Sequence, residues 1–325
     1  MKIKEALNLA TKKIRQASLS PHLDAEVLLS FVLHKDKAWL YANFDRKLSQ
    51  IQYSKFQILI KKRVKRWPVA YLIGHKEFFS LDFVVTPDVL IPRPETELLV
   101  ELALEQIKNK ECRIENVVEV GTGSGNIIIS IAAKLTEYHR LVYDTPKLYG
   151  TDTSKKALVI ARENAKFNGV SKKIKFLRGN LLDPLFPLPL MRGRASAGHR
   201  NLIIANLPYL TRKQHKNNPD LKCEPKNALV GGDDGLRHFR ELFQQLKIFC
   251  RPRPDRGSSP RSLSRASLDS RFGGNDKKIT LLLEHDPSQK VKLETLAKKY
   301  LDNFQIEFHK DLTGKYRVCE IITIC

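Results

Sequence analysis

The sequence predicts an α/β protein: a mostly parallel, Rossmann-like sheet with helices on both faces, preceded by a small all-helical N-terminal domain. Three observations carry this. From about residue 97 onward the apolar period switches repeatedly between two and 3.6, the pattern of strands alternating with crossover helices. One of those strands, VVEV, runs directly into a glycine turn, Gly121-Thr-Gly-Ser-Gly125, and then into a helix. From Ile3 to about Arg66, by contrast, the period stays helical throughout.

In chain order, MKIKEALNLATKKIRQ places Ile3, Ala6, Leu7, Ala10 and Ile14 on one stripe, and charges interrupt it too often for a signal-peptide core. Further stripes are Leu28, Phe31 and Val32, then Phe56, Leu59, Ile60 and Val64. The helical domain is expected to span residues 1–74. The run Lys61, Lys62, Arg63, Lys65 and Arg66 near its end reads either as a solvated helix face or as part of a docking surface. Residues 75–93 form a linker in which Phe78 to Val85 (FFSLDFVV) has the alternation of a β-hairpin. The third unit, 94–325, opens with a helix in IPRPETELLVELALEQI, where Pro94 suits a first turn and Glu95 and Glu97 suit its positive end.

Strand-like VVEV, KLYGTD, KIKFLRGN and NLIIANLPYL then alternate with helical SGNIIISIAAKL and SKKALVIARENAKFNG. Parallel strands need such crossovers, so the order itself implies a parallel sheet. Near the end, ITLLLE is a buried-strand pattern and DPSQKVKLETLAKKYLDNF a helix. FQIEFHKDLTGKYRVCEIITI reads as two strands joined by a turn at Thr313 and Gly314, an antiparallel edge. Two stretches, 187–200 and 251–278, lack apolar periodicity; the second is rich in Arg, Ser, Pro and Gly. Both are expected to be disordered surface insertions.

Composition narrows the function classes. A hydrophobic fraction of 42% suffices for a packed interior. No run approaches the roughly 18 apolar residues of a membrane helix, so a soluble, cytoplasmic protein is expected. Cys112, Cys223, Cys250, Cys319 and Cys325 are scattered singly, which suggests reduced thiols and no metal site. The net charge of +22 favours an anionic partner such as RNA or a ribonucleoprotein surface, without saying which.

The glycine turn is the first half of a candidate site. Gly121, Gly123 and Gly125, interleaved with Thr122 and Ser124, allow a tight turn and close approach of a ligand. Their spacing fits neither GxGxxG nor the phosphate loop, and no lysine follows, which disfavours a phosphate-bearing cofactor. Asp152, ending KLYGTD, can accept two hydroxyl hydrogen bonds from a ribose, each worth roughly 1.5–3 kcal/mol. Alternatively it caps the next helix, a role Ser154 could fill. Glu119 either meets a cationic or amino group of the cofactor or hydrogen-bonds the loop. Asn180 is placed to meet an adenine amino group, with Leu181 beside the ring.

The second half is Asn206-Leu-Pro-Tyr209, at the end of a buried strand beside the glycine turn. Alone it could be a strand-ending turn. Together with the glycine turn it suits a planar NH2 nitrogen, a poor nucleophile because its lone pair is delocalised. The Asn206 side-chain oxygen and the Leu207 backbone oxygen can accept its two N–H bonds, Pro208 stiffens the turn, and Tyr209 packs on the planar face. Positioning alone can supply roughly 7–11 kcal/mol, so neither a general base nor a metal is demanded. A side-chain amide and the exocyclic amine of a nucleobase both fit this clamp. A third class, an adaptor without chemistry, is opposed by the intact Gly121, Gly123, Asp152 and Asn206.

The chain resembles the HemK/PrmC family, the N5-glutamine methyltransferases of peptide chain release factors, over nearly its whole length outside the two insertions. The resemblance is carried by RWPVAYLIGHKEFFSLDFVVTPDVLIPRPETELLVE, in which Pro92 to Glu97 all fit, by GTGSG, Asp152 and ARENA, by EPKNALVGGDDGL (Glu224 to Leu236), and by LLLEH and KDLTGKYR. It implies a class-I methyltransferase domain with a seven-stranded sheet, using S-adenosyl-L-methionine, behind a helical release-factor-binding domain. It further implies that the substrate is the glutamine of the release factors' Gly-Gly-Gln loop, held by Asn206, Leu207, Pro208 and Tyr209 with Arg93, Pro94, Glu95 and Thr96 beside it. PRPETE and EPKNAL weigh against a nucleic-acid substrate; direct nucleic-acid binding is not required, and the charge does not exclude it. The family usually reads NPPY, so Leu207 replaces its first proline. The backbone carbonyl survives, and activity is expected to be retained with less rigidity.

Overall fold

Five helices fill the first 73 residues: α1 (Ile3–Ile14), α2 (Pro21–Leu33), α3 (Lys37–Ala42), α4 (Gln50–Val64) and α5 (Val69–Ile73). The computed structural model describes residues 1–109, 113–137, 145–186, 199–249 and 278–324, so both expected insertions lie outside the described residues except at their strand-forming ends. The α1 stripe is wholly buried and packs with Leu28, Leu29, Phe56 and Ile60 into a core of its own. Pro21 begins α2, where its missing N–H costs nothing, and Ser49 with Gln52 forms a capping box on α4. Phe31 and Val64, expected on apolar stripes, lie outside that core and are exposed.

Part of the basic run is spent within the molecule. Arg63 binds Asp24 at 2.7 Å, Arg66 reaches Asp220 at 2.7 Å and the Gln16 carbonyl at 2.8 Å, and Lys62 lies over the Trp67 ring. Lys61 and Lys65 remain as exposed helix-surface cations. Lys61 and Lys65 alone of the five match a solvated helix face.

A hairpin, β1 (His75–Phe78) and β2 (Leu81–Val84), follows, with Phe79 and Ser80 both at positive φ in its two-residue turn. Beyond it come α6 (Glu97–Lys108), β3 (Arg113–Val120), α7 (Asn126–Glu137), β4 (Lys147–Asp152), α8 (Lys155–Phe167), β5 (Ile174–Arg178) and β6 (His199–Ala205). The chain closes with α9 (Arg212–Asn217), α10 (Arg237–Phe249), β7 (Lys278–Glu284), α11 (Lys290–Tyr300), β8 (Phe304–Lys310) and β9 (Tyr316–Ile324).

The seven strands β3 to β9 form one sheet of order β5-β4-β3-β6-β7-β9-β8, in which β9 runs antiparallel to both neighbours and the other pairs are parallel. The last two strands form the expected antiparallel edge, with β8 outermost and β9 between β7 and β8. Burial explains this. Val318, Cys319 and Ile321 of β9 are all buried and need cover on both faces, whereas β8 alternates half-buried with exposed residues and suits an edge. Both faces of the central strands are covered. Val117, Leu202 and Ile204 pack with α6, α7 and the hairpin, while Val118, Ile203 and Leu281 pack with α10 and α11. Two buried faces are why these strands read as continuous apolar runs. No helix among the described residues is long and apolar enough to cross a membrane.

Candidate active site

The direction of winding reverses between β3 and β6, and in sheets of this kind ligands bind outside the carboxyl ends at that point. Val120, the last residue of β3, pairs with Thr151 on β4 and Ala205 on β6. The glycine turn, Asp152 and Asn206 therefore emerge side by side. The amides of Gly121 and Thr122 donate to the Thr151 carbonyl at 2.8 and 2.9 Å, fastening the turn to β4. At Gly125, φ is 81° and a Cβ would stand 2.7 Å from Ile129 Cδ1, so only glycine lets α7 begin against α8.

Asp152 accepts from the Gly123 amide on Oδ2 at 2.9 Å and from the Ser154 amide on Oδ1 at 2.8 Å. The cap of α8 belongs to Ser154, whose Oγ accepts from Ala157 N at 3.2 Å. Asp152 is thus tied to the glycine turn and left with further lone pairs. Burial raises its pKa, against the pull of those two amides. Glu119 is fully buried, and its Oε2 accepts from both Thr122 Oγ1 (2.5 Å) and Ile128 N (3.2 Å). Of the two roles left open for Glu119, bonding the loop is the one seen. Burial pushes its carboxyl up to about 8, with the Thr122 and Ile128 bonds opposing.

One cleft is lined by Gly121, Gly123, Asp152, Ser154, Asn180, Leu181, Asn206, Leu207 and Pro208. A second, adjoining cleft is lined by Arg93, Asn206, Leu207, Pro208, Tyr209 and Glu284. Asn206, Leu207 and Pro208 therefore form a wall with a cleft on each side. The backbone of this turn lies directly against the Val230–Gly235 loop: Leu210 N donates to Leu229 O at 3.0 Å and Gly231 N to Leu210 O at 2.9 Å. A Cβ on Gly231 would stand 2.2 Å from the Pro208 carbonyl oxygen, and one on Gly235 would stand 2.1 Å from that of Tyr209. Gln289 Nε2 donates to Tyr209 O at 3.0 Å from the other side. Leu207 buries its side chain in the α10 and α11 core. That burial contributes roughly 1.5–3 kcal/mol and anchors the turn by packing.

A buried polar chain supports the wall and reaches the second cleft at Tyr209 and Glu284. Thr96 Oγ1 is 2.7 Å from Glu284 Oε2 and 3.0 Å from Asn206 Nδ2, and the Tyr209 hydroxyl donates to Glu284 Oε1 at 3.2 Å. Glu284 is 1% exposed, and burial pushes its carboxyl up to about 7 while Thr96, Arg317 and Tyr209 oppose the shift.

The expected substrate residues divide. Arg93 lines the second cleft and pairs with Glu224, which also accepts from Ile91 N at 3.2 Å. Pro94 and Glu95 sit exposed on a short 3-10 turn and line neither cleft. Thr96 is buried behind Asn206, so direct contact with a substrate is corrected to support of Asn206. Thr122, Ser124 and Gly125 likewise shape the turn from beneath and do not line the cleft.

Sequence reasoning missed the linker residues Asp88, Val89 and Leu90, then Pro225, Asn227 and Ala228, and His238, all of which line the first cleft. For all but His238 the signal lies in TPDVL and EPKNAL, two of the stretches that carry the resemblance. Tyr71 holds the linker by donating to Val89 O at 2.6 Å, and burial lowers the pKa of His238. Asn164, of ARENA, was also missed. It accepts from Val84 N (2.7 Å) and donates to Val84 O (3.1 Å) and Ser124 O (2.9 Å), welding hairpin to glycine turn. A lone polar residue on the apolar stripe of Ala157, Leu158, Ala161 and Ala165 was its trace.

A seven-stranded sheet with one reversed strand, carrying its cleft at the switch point between β3 and β6, defines a class-I methyltransferase fold behind a helical N-terminal region. The model of the PrmC N-terminal domain family matches residues 5–74, and that of ribosomal protein L11 methyltransferase (PrmA) matches residues 94–207. The release factor glutamine methyltransferase of Dictyoglomus turgidum is 33% identical, over 98% of this chain and 98% of its own. That of Moorella thermoacetica is 34% identical over 82% and 90%, and that of Coxiella burnetii 36% identical over 77% and 82%. This chain belongs to the release factor glutamine methyltransferase family.

Proposed function

We propose that this protein methylates the side-chain amide nitrogen, N5, of the glutamine in the Gly-Gly-Gln loop of peptide chain release factors, using S-adenosyl-L-methionine, in the cytoplasm. Residues 1–74 serve as the docking domain, 75–93 as the linker and 94–325 as the catalytic domain. The observation that carries this reading is the shared wall: Asn206, Leu207 and Pro208 line both clefts, so groups bound on its two sides meet across it.

The first cleft fits a nucleoside carrying a sulfonium. Asp152 keeps lone pairs for two ribose hydroxyls, Asn180 and Leu181 are placed for the base, and no Lys or Arg stands among its described lining residues to hold a phosphate. When bound, S-adenosyl-L-methionine supplies an electrophilic methyl group. On the substrate side, the Asn206 Oδ1 and Leu207 carbonyl have no hydrogen-bond partner among the described residues and are available to accept the two amide N–H bonds. Tyr209 packs on the planar face, with its hydroxyl held by Glu284. The clamp favours the charge developing on nitrogen, and the surplus proton leaves to water.

Labelled cofactor offered in parallel to purified release factor, to nucleic acid, and to a release factor with its loop glutamine replaced by alanine tests this. Label is expected in the first alone, and Asn206→Ala should abolish it while cofactor affinity is kept. Label in the alanine-substituted factor refutes the glutamine assignment, and label in nucleic acid transfers the clamp to a base amino group.

A further inference from the structure

Glu284 lines the second cleft and bonds neither cleft-facing oxygen of the clamp, yet the hydrogen-bond chain through Thr96 gives it control of the clamp's polarity. Thr96 is 2% exposed, and its one hydroxyl proton must serve two neighbours, Glu284 Oε2 at 2.7 Å and the Asn206 amide at 3.0 Å. An ionised carboxylate only accepts. Thr96 must then donate to Glu284 and accept from Asn206, which turns the Asn206 NH2 towards Thr96 and its oxygen away. A protonated Glu284 could donate to Thr96 instead, releasing the Thr96 proton to an Asn206 oxygen turned inwards. The Asn206 NH2 would then face the NH2 of the substrate, donor against donor. Tyr209 donates to the other oxygen of Glu284, so both ends of the 206–209 turn are polarised by one carboxylate.

We infer that Glu284, acting through Thr96, is the positioning residue that sets which end of the Asn206 amide meets the substrate. This rests on the glutamine reading above. Register supports it: Ala205 of β6 pairs with Leu283 of β7, so the residues that follow, Asn206 and Glu284, leave adjacent strand ends in step. The charged and titratable groups around Glu284 are Tyr209 from the turn after β6, Arg317 from β9, Glu95 from the segment before α6, and the following His285 and Asp286.

The test uses the full chain and release factor. Glu284→Leu, which leaves Thr96 no acceptor at this position, should lower kcat roughly 10²–10³-fold with cofactor affinity unchanged, the scale of losing one preorganised hydrogen-bonding group. Thr96→Val should match it, Thr96→Ser should restore turnover, and the double variant should be no worse than either single one. Glu284→Gln, whose carbonyl oxygen can still accept from Thr96, should keep most of the turnover. Wild-type kcat should rise through about pH 7, where Glu284 ionises, and the Glu284→Gln rate should not. Wild-type kcat in Glu284→Leu, or in Thr96→Val, overturns the inference while leaving the glutamine reading standing. A wild-type protein inactive on release factor sinks that reading instead. The inference is then read from the Asn206 side-chain amide resonances of the free protein, which should shift in Glu284→Leu; unshifted resonances overturn it.

Discussion

Replacing Gly231 with alanine tests whether the clamp is positioned by backbone contact. Gly231 has an ordinary negative φ, so the substitution adds no backbone strain and its effect is purely that of the new methyl group. That carbon would stand 2.2 Å from the Pro208 carbonyl oxygen and 2.7 Å from that of Gly235, where contacts below 3.0 Å essentially never occur. Both obstacles are backbone atoms, and no side chain can swing aside. The Pro208 carbonyl or the loop must yield by about 0.8 Å, the difference between 2.2 and 3.0 Å. Pro208 directly follows the carbonyl proposed to grip the substrate, and a misplacement of about 1 Å at a reacting centre costs on the order of 10²-fold in rate. That corresponds to about 2.7 kcal/mol of barrier. Gly231→Ala should therefore keep its fold and cofactor affinity but lose about two orders of magnitude in kcat/KM for release factor, measured by initial-rate methyl transfer beside a melting curve. A folded variant with wild-type kcat/KM would refute backbone contact as what positions Asn206 and Leu207.

Asp152→Ala should weaken cofactor binding by more than it slows turnover at saturation, because the carboxylate bonds the glycine turn and not the clamp; unchanged affinity by calorimetry would reject the ribose assignment. Glu119 contributes a pH dependence to stability. Its folded-state pKa of about 8 lies above the usual 4.5, so between these values the native state holds a proton the unfolded state has lost, and stability falls as pH rises through that window. Glu119→Gln can keep both bonds on its single carbonyl oxygen and should flatten that fall; equal slopes of melting temperature against pH would contradict a neutral buried Glu119. Asn164→Ala strips partners from two carbonyls and an amide, at about 1–3 kcal/mol for each group left buried and unsatisfied, and a loss of stability below 1 kcal/mol in denaturant unfolding would show that the weld is dispensable.

The sequence by itself determined the fold class and pointed to the two halves of the candidate site. Periodicity is local: strands buried on both faces must be continuous apolar runs, and a glycine turn between strand and helix is visible in five residues. Asp152, Asn206 and the glycine turn were legible because strand ends in a parallel sheet fall on one edge, so the order of elements already implies their neighbourhood. What the sequence left open were choices between partners that local pattern does not rank. Whether Ser154 or Asp152 capped α8, and whether Glu119 faced a ligand or Thr122, depended on side-chain geometry.

Only the tertiary structure placed Thr96 behind Asn206, since 110 residues separate them and the contact exists only because α6 packs beside the ends of β6 and β7. It also explained two glycines of VGGDDG: Gly231 and Gly235 answer to carbonyls of Pro208 and Tyr209 more than 20 residues away. β9 reached its place between β7 and β8 for the same kind of reason: a strand apolar on both faces is stable only where both are covered, and which neighbours provide that cover is decided by packing across the whole sheet.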